Sequence, residues 1–131
     1  MHCAIFDINM SEINDYLKLS YKWMPQFLQR TEKLQANQRP EEIQKARRII
    51  YQHYASLNTI WLDCEGDFLR ELKTHFLSPF LLIHIVMALS LYERFDLIEP
   101  LLDKSNITIE KRKKYKERAN IALAGKKYMK E

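Results

Sequence analysis

Apolar residues recur along the chain at helical spacing, and no segment alternates between apolar and polar positions as a half-exposed strand would. The first helical segment begins after Ser11, which can cap a helix, and its apolar positions repeat roughly every 3.5 residues as far as Leu34. Pro25 lies within this segment. Because proline removes one backbone hydrogen bond and clashes with the preceding turn, we expect a kink or a break near Met24.

Five further helices are predicted after a polar connector. The second runs from Pro40 to Cys64 with Gly66 as its stop, and Asp67 can cap a short third helix. The fourth, residues 79–92, is apolar almost all round. A helix with no polar face is normally surrounded by other helices, so we expect this one to be central.

A fifth helix begins at Asp96, and a basic sixth helix runs from about 107 to 125, where Gly125 is the predicted stop. The sequence contains only two glycines. Sheet proteins need many turns with positive φ, whereas helical proteins need few, so scarce glycine favours helices. The sequence therefore predicts an all-α fold, a single-domain bundle of about six helices spanning residues 1–131.

Charge is distributed unevenly along the chain. The net charge is +4, but residues 104–131 hold 10 Lys/Arg and 3 Glu, whereas residues 1–103 hold 11 Lys/Arg and 14 Asp/Glu. Lysines and arginines on a helix can bind phosphates or an acidic protein, and the alternative is a solvated helix face. The candidate binding residues of the sixth helix are Lys111, Arg112, Lys113, Lys114, Lys116, Arg118, Lys126 and Lys127.

One pair of residues suggests catalysis. Arg48 and His53 are separated by four residues, and this pair resembles the Arg-x4-6-His motif of the HEPN ribonucleases, which are small all-α dimers. The resemblance implies that Arg48 holds a phosphate and that His53 acts on the ribose hydroxyl. On a straight helix, however, positions five apart point about 140° away from each other. The alternative is a solvated Arg48 and a His53 on the apolar stripe.

Neither a metal site nor a cofactor site is predicted. Two glycines cannot build a phosphate-binding loop, and the histidines and cysteines lack the paired spacing of zinc ligands. The acidic residues Asp63, Glu65 and Asp67 are interpreted as a helix boundary, since a calcium loop needs more oxygen ligands in a fixed order.

The sequence also gives expectations about location. Two distant cysteines, Cys3 and Cys64, are typical of reduced thiols in a reducing compartment. The N-terminus does not resemble a signal peptide, and the apolar stretch 80–91 is shorter than the ~20 residues that a membrane span needs. We therefore expect a cytoplasmic protein that does not act in a membrane.

An interaction or adaptor protein, acting in a complex or as an oligomer, is the first functional hypothesis, and an enzyme is less favoured. Tyrosine and tryptophan are enriched at protein interfaces, and the chain is rich in aromatic residues. A nucleic-acid-associated protein that uses the basic sixth helix is the alternative, and a HEPN-like ribonuclease is the second alternative. The aromatic residues behind the first hypothesis are Tyr16, Tyr21, Trp23, Phe27, Tyr51, Tyr54 and Trp61.

Overall fold

The computed structural model describes residues 9–65, 67–75 and 78–129, and within these ranges the chain forms six α-helices and no strand. This confirms the predicted all-α class. Cys3 and the predicted stop at Gly66 lie outside the described residues. The helices are α1 (Met10–Glu32), α2 (Glu41–Asp63), α3 (Leu69–His75), α4 (Pro79–Leu91), α5 (Phe95–Lys104) and α6 (Ile109–Met129), with a 3-10 turn (Ala36–Gln38) between α1 and α2.

Helix α1 differs from the prediction at its start and at its proline. The side chain of Asn9, rather than Ser11, caps the helix by accepting the N–H of Ser11 at 2.8 Å. The helix runs through Pro25 without a break. Proline inside a helix costs about 3 kcal/mol. Met24 and Phe27, on either side of it, are fully buried, and burying one such side chain contributes about 1.5–3 kcal/mol, so packing offsets that cost.

Helix α2 runs antiparallel to both α1 and α6. Arg47, near the start of α2, donates to the carbonyl of Leu28 near the end of α1 at 2.7 Å. On the other side, Arg118 of α6 donates to Gln52 at 2.6 Å. Helices α1 and α6 also pack against α4, so α2 and α4 face each other across the bundle.

Helix α4 is the central helix, as its apolar sequence predicted. Ser78 caps it by accepting the N–H of Phe80, and Pro79 occupies its first turn. Ten of its 13 residues are buried, and it packs against α1, α3, α5 and α6. Among the described helices, none is both long enough and apolar enough to cross a membrane.

The predicted end of α6 at Gly125 is corrected by the structure, because the helix continues to Met129. Gly125 is buried where α6 crosses α2, and a Cβ atom placed on it would lie 2.3 Å from the Cβ atom of Ala46. The glycine therefore permits close approach of two helices and does not terminate one.

Candidate functional site

A cleft of about 580 Å³ opens between the middle of α2, the first two turns of α4 and the N-terminal half of α6. Its size lies within the range of small-molecule sites in proteins. None of the described residues that line it is acidic, and three of them are lysine or arginine. The lining residues are Gln52, His53, Ser56, Pro79, Phe80, Ile83, His84, Lys111, Lys114, Tyr115 and Arg118.

Two buried histidines from facing helices meet at this cleft. His53 of α2 is 3% exposed and His84 of α4 is 6% exposed. Their Nδ1 atoms lie 3.1 Å apart with the rings nearly perpendicular, which is a hydrogen bond between two imidazoles. One ring therefore donates its Nδ1–H, and the other accepts with an unprotonated Nδ1.

Both imidazoles are neutral at pH 7. Burial, together with the charges of His84 and Arg118, lowers the pKa of His53 to about 3. Burial alone lowers the pKa of His84 to about 4. His84 is thus buried without a charge, and its hydrogen-bond partner is the second histidine.

The shared proton determines what the pair offers to a ligand. In the ring that donates through Nδ1, the Nε2 atom is an acceptor, and in the other ring Nε2–H is a donor. Neither the His53 Nε2 nor the His84 Nε2 has a hydrogen-bond partner among the described residues. The pair thus offers one donor and one acceptor at the cleft, and exchanging the two tautomers swaps them.

Three cations of α6 form one rim of the cleft. Lys111, Lys114 and Arg118 are spaced at i, i+3 and i+7, so they lie on one helix face with Tyr115. Gln52 orients the Arg118 guanidinium, whose Nε atom is buried with no partner in the described part of the chain. The two lysines are exposed, and neither forms an ion pair with any described residue. Burial raises the pKa of the Tyr115 phenol, which keeps this hydroxyl protonated as a donor.

Other predicted basic residues of α6 lie outside the cleft, and two of them are paired with acids of α5. Arg112 contacts Glu99 and also Asp103, at 2.8 Å, and Lys116 contacts Glu99 as well. These contacts join α6 to α5 and reduce the charge that a phosphate would meet there. Lys113 is exposed on the side of α6 away from the cleft.

The last two predicted basic residues attach the end of α6 to the end of α4. Lys126 donates to the carbonyl of Leu91 at 2.6 Å and lies 3.9 Å from the centre of the Tyr92 ring. A cation at a helix C-terminus is favourable because the last carbonyls are unpaired. Lys127 pairs with Glu93 at 3.4 Å. The structure therefore brings Lys111, Lys114 and Arg118 together at one site and leaves the other five predicted basic residues outside it.

The residues of the HEPN-like motif face different clefts. Arg48 is exposed and lines a second cleft with Tyr51, between α1 and α2, whereas His53 lines the cleft with α4 and α6. This follows from their spacing on one continuous helix. The arginine whose charge contributes to lowering the pKa of His53 is Arg118, which lies on a different helix.

The aromatic residues proposed as an interface are mostly half-buried. Of the seven, only Tyr51 is exposed, at 64%. Tyr21 stacks on Trp61 at 4.5 Å and on Tyr54 at 5.4 Å, between α1 and α2. Stacked rings of this kind stabilise the contact between two helices, and the packing reduces the surface that these rings offer to a partner.

The acidic residues between α2 and α3 serve the helix boundary. Asp67 accepts the N–H of Leu69 at 2.9 Å, as the capping interpretation predicted. Within the described ranges, no three histidine, cysteine or acidic residues come close enough to hold a metal ion.

Several residues of the cleft were missed by the sequence analysis, namely Gln52, Ser56, Phe80 and His84. A usable signal was present in α6, where Lys111, Lys114, Tyr115 and Arg118 share one face. Nothing in the sequence indicated that His84 faces His53. Comparison of the chain with models of protein families, with curated proteins and with solved structures gives no significant match.

Proposed function

We propose that this chain is a nucleic-acid-binding protein whose phosphate contacts are made by the rim of the α2–α4–α6 cleft. The observation that carries this proposal is the convergence of Lys111, Lys114 and Arg118 on a cleft with no acidic residue among its described lining. Phosphate binding by lysine and arginine releases counterions and supplies most of the affinity of sequence-independent binding. Arg118 is held in place by Gln52, so its orientation is set before a ligand arrives.

Binding is favoured over catalysis by the state of the histidines. A general acid or base works best when its pKa lies near the operating pH. The pKa values of His53 and His84, about 3 and about 4, lie far below neutrality. The ribonuclease hypothesis therefore stays a prediction without support from the histidine pair.

Binding of nucleic acid is also favoured over the interaction-protein hypothesis. That hypothesis relied on exposed aromatic residues, and the packing of Tyr21, Tyr54 and Trp61 against one another reduces that surface. The interaction-protein hypothesis stays a prediction, because the remaining exposed residues do not indicate the kind of partner.

The salt dependence of binding tests the proposal quantitatively. Each phosphate contacted on a single strand contributes about −0.7 to the slope of log K against log salt concentration. Three rim cations predict a slope of about −2, whereas all eight predicted basic residues would give a slope of about −6. The measurement is fluorescence anisotropy of a labelled oligonucleotide from about 50 to about 200 mM salt. No binding at the lowest salt concentration would refute the proposal.

Two neighbouring lysines supply a matched control. Lys114→Gln removes a rim cation and is expected to weaken binding and to reduce the salt slope by about 0.7. Lys113→Gln makes the same change in charge one residue away, outside the cleft, and is expected to leave the slope nearly unchanged. Equal effects of the two substitutions would show that the charge of the whole helix, rather than the cleft, attracts the ligand.

A further inference from the structure

We infer that the cleft accommodates an unpaired nucleobase, stacked on Phe80 with its edge on the His53–His84 pair. Single strands are then the ligands, and duplexes are not. This inference rests on the proposed function, and it assigns the ligand class that the rim cations alone do not define.

Phe80 provides the stacking surface. It lies in the first turn of α4, a mostly buried helix, and its side chain is 57% exposed in the lining of the cleft beside Pro79 and Ile83. An exposed aromatic ring next to a row of cations is the combination by which proteins bind single-stranded nucleic acid. The cations contact the backbone, and the ring stacks on a base.

The histidine pair provides a neutral edge with both kinds of hydrogen-bonding atom. A nucleobase edge presents hydrogen-bond donors and acceptors side by side. The two Nε2 atoms of His53 and His84, which have no partner among the described residues, offer one donor and one acceptor. Because the tautomers can exchange, the pair suits bases with either order of donor and acceptor. Because of this exchange, the pair is expected to bind a nucleobase without strong preference for one base over another.

The rim cations and the histidine pair differ in burial, and this difference explains why the base must be unpaired. Lys111 and Lys114 are exposed, whereas His53 and His84 are almost fully buried. A nucleotide whose phosphate is bound by the exposed lysines can contact the buried histidines with its base. In a duplex that base is stacked and paired, and taking it out of the stack costs free energy.

The decisive experiment compares three probes that carry the same number of phosphates on each strand. They are a single-stranded oligonucleotide, an abasic strand of equal length, and the duplex of the first strand. Loss of stacking for one base predicts binding of the abasic strand that is about 5- to 150-fold weaker. The duplex is expected to bind more weakly than the single strand. Equal affinities for the single strand and the abasic strand, or for the single strand and the duplex, would overturn the inference.

Phe80→Ala tests the stacking surface directly. It is expected to reduce the difference between the single strand and the abasic strand, because the base then keeps only its contacts with the histidine pair. Phe95→Ala is the matched control, since Phe95 is 46% exposed at the start of α5 and does not line this cleft. If Phe80→Ala keeps the full preference for the base-bearing strand, the inference is wrong.

Nitrogen-15 NMR of the imidazoles provides a second measurement that needs no substitution of a buried residue. The Nε2 resonances of His53 and His84 are expected to shift on addition of the single strand and to stay in place with the abasic strand. Unshifted Nε2 resonances at saturating single strand would overturn the role of the pair. If the abasic strand binds as tightly as the single strand, the proposed function stands and this inference fails. If no probe binds, both fail.

Discussion

The crossing of α2 and α6 at Gly125 yields the sharpest structural prediction. Replacing Gly125 by alanine adds one methyl group whose carbon would lie 2.3 Å from the Cβ atom of Ala46. Carbon atoms in contact are normally about 3.5–4.0 Å apart, so the helices must separate or shift. Ala46 is a short, fully buried side chain and cannot rotate away from the new methyl group.

Two opposing contributions set the size of the effect. Alanine is a better helix former than glycine by about 1 kcal/mol, which favours the variant. Overpacking of a close contact costs about 1–3 kcal/mol, and an overlap this severe belongs at the upper end of that range. Gly125→Ala is therefore expected to lower the free energy of unfolding by about 1–2 kcal/mol, although glycine in a helix usually destabilises.

A compensating substitution isolates the steric contribution. Ala46→Gly alone loses about 1 kcal/mol of helix propensity and about 0.8 kcal/mol of methyl burial, close to 2 kcal/mol together. In the double variant the new methyl group occupies the space that Ala46 vacated, and its next neighbour is the Phe27 ring at 3.4 Å. The double variant is expected to lie within about 1 kcal/mol of the wild type, which requires a coupling free energy of at least about 2 kcal/mol.

Urea unfolding of the wild type, both single variants and the double variant measures this cycle. Additive losses, with the double variant less stable than either single variant, would refute close packing between the two helices. That result would instead agree with the sequence-based expectation that Gly125 ends α6. In that case the effect of replacing Gly125 would not depend on the residue at position 46.

Further predictions concern the core, a turn and the histidine pair. Leu82→Ala and Leu89→Ala, at fully buried positions of α4, are each expected to lose about 2–5 kcal/mol in urea unfolding, and losses under about 1 kcal/mol at both would show that α4 is not central. Glu93→Gly is expected to raise stability by about 0.5–1 kcal/mol, because the φ of +57° at this residue strains any side chain; a lower urea midpoint would contradict this. The pKa values of His53 and His84, about 3 and about 4, lie below the value of about 6.5 in an unfolded chain, so the unfolded state binds more protons between these limits. Stability should therefore fall as the pH is lowered from about 6.5 towards about 4, by about 1.4 kcal/mol per pH unit for each imidazole, and a His53→Gln/His84→Gln variant with an equally steep profile would refute this.

The candidate site shows how far sequence reasoning extends within one helix. The density of charge in α6 identified Lys111, Lys114 and Arg118 as binding candidates, because neighbours on one helix face can be read from their spacing. The same reasoning did not separate them from Arg112 and Lys116. Those residues pair with acids of α5, and the distance between two helices is set by packing that no local pattern records.

The hydrophobic pattern by itself determined that the chain forms helices and that α4 is central, since a segment with no polar face must be covered on all sides. Tertiary structure alone decided which face of α6 meets α2, and therefore that Gly125 lies inside the helix as a point of close approach. It also decided that His53 and His84, 31 positions apart, share a proton at a cleft. The physical reason is that periodicity records which residues are buried, whereas the identity of the residue opposite depends on how the helices cross.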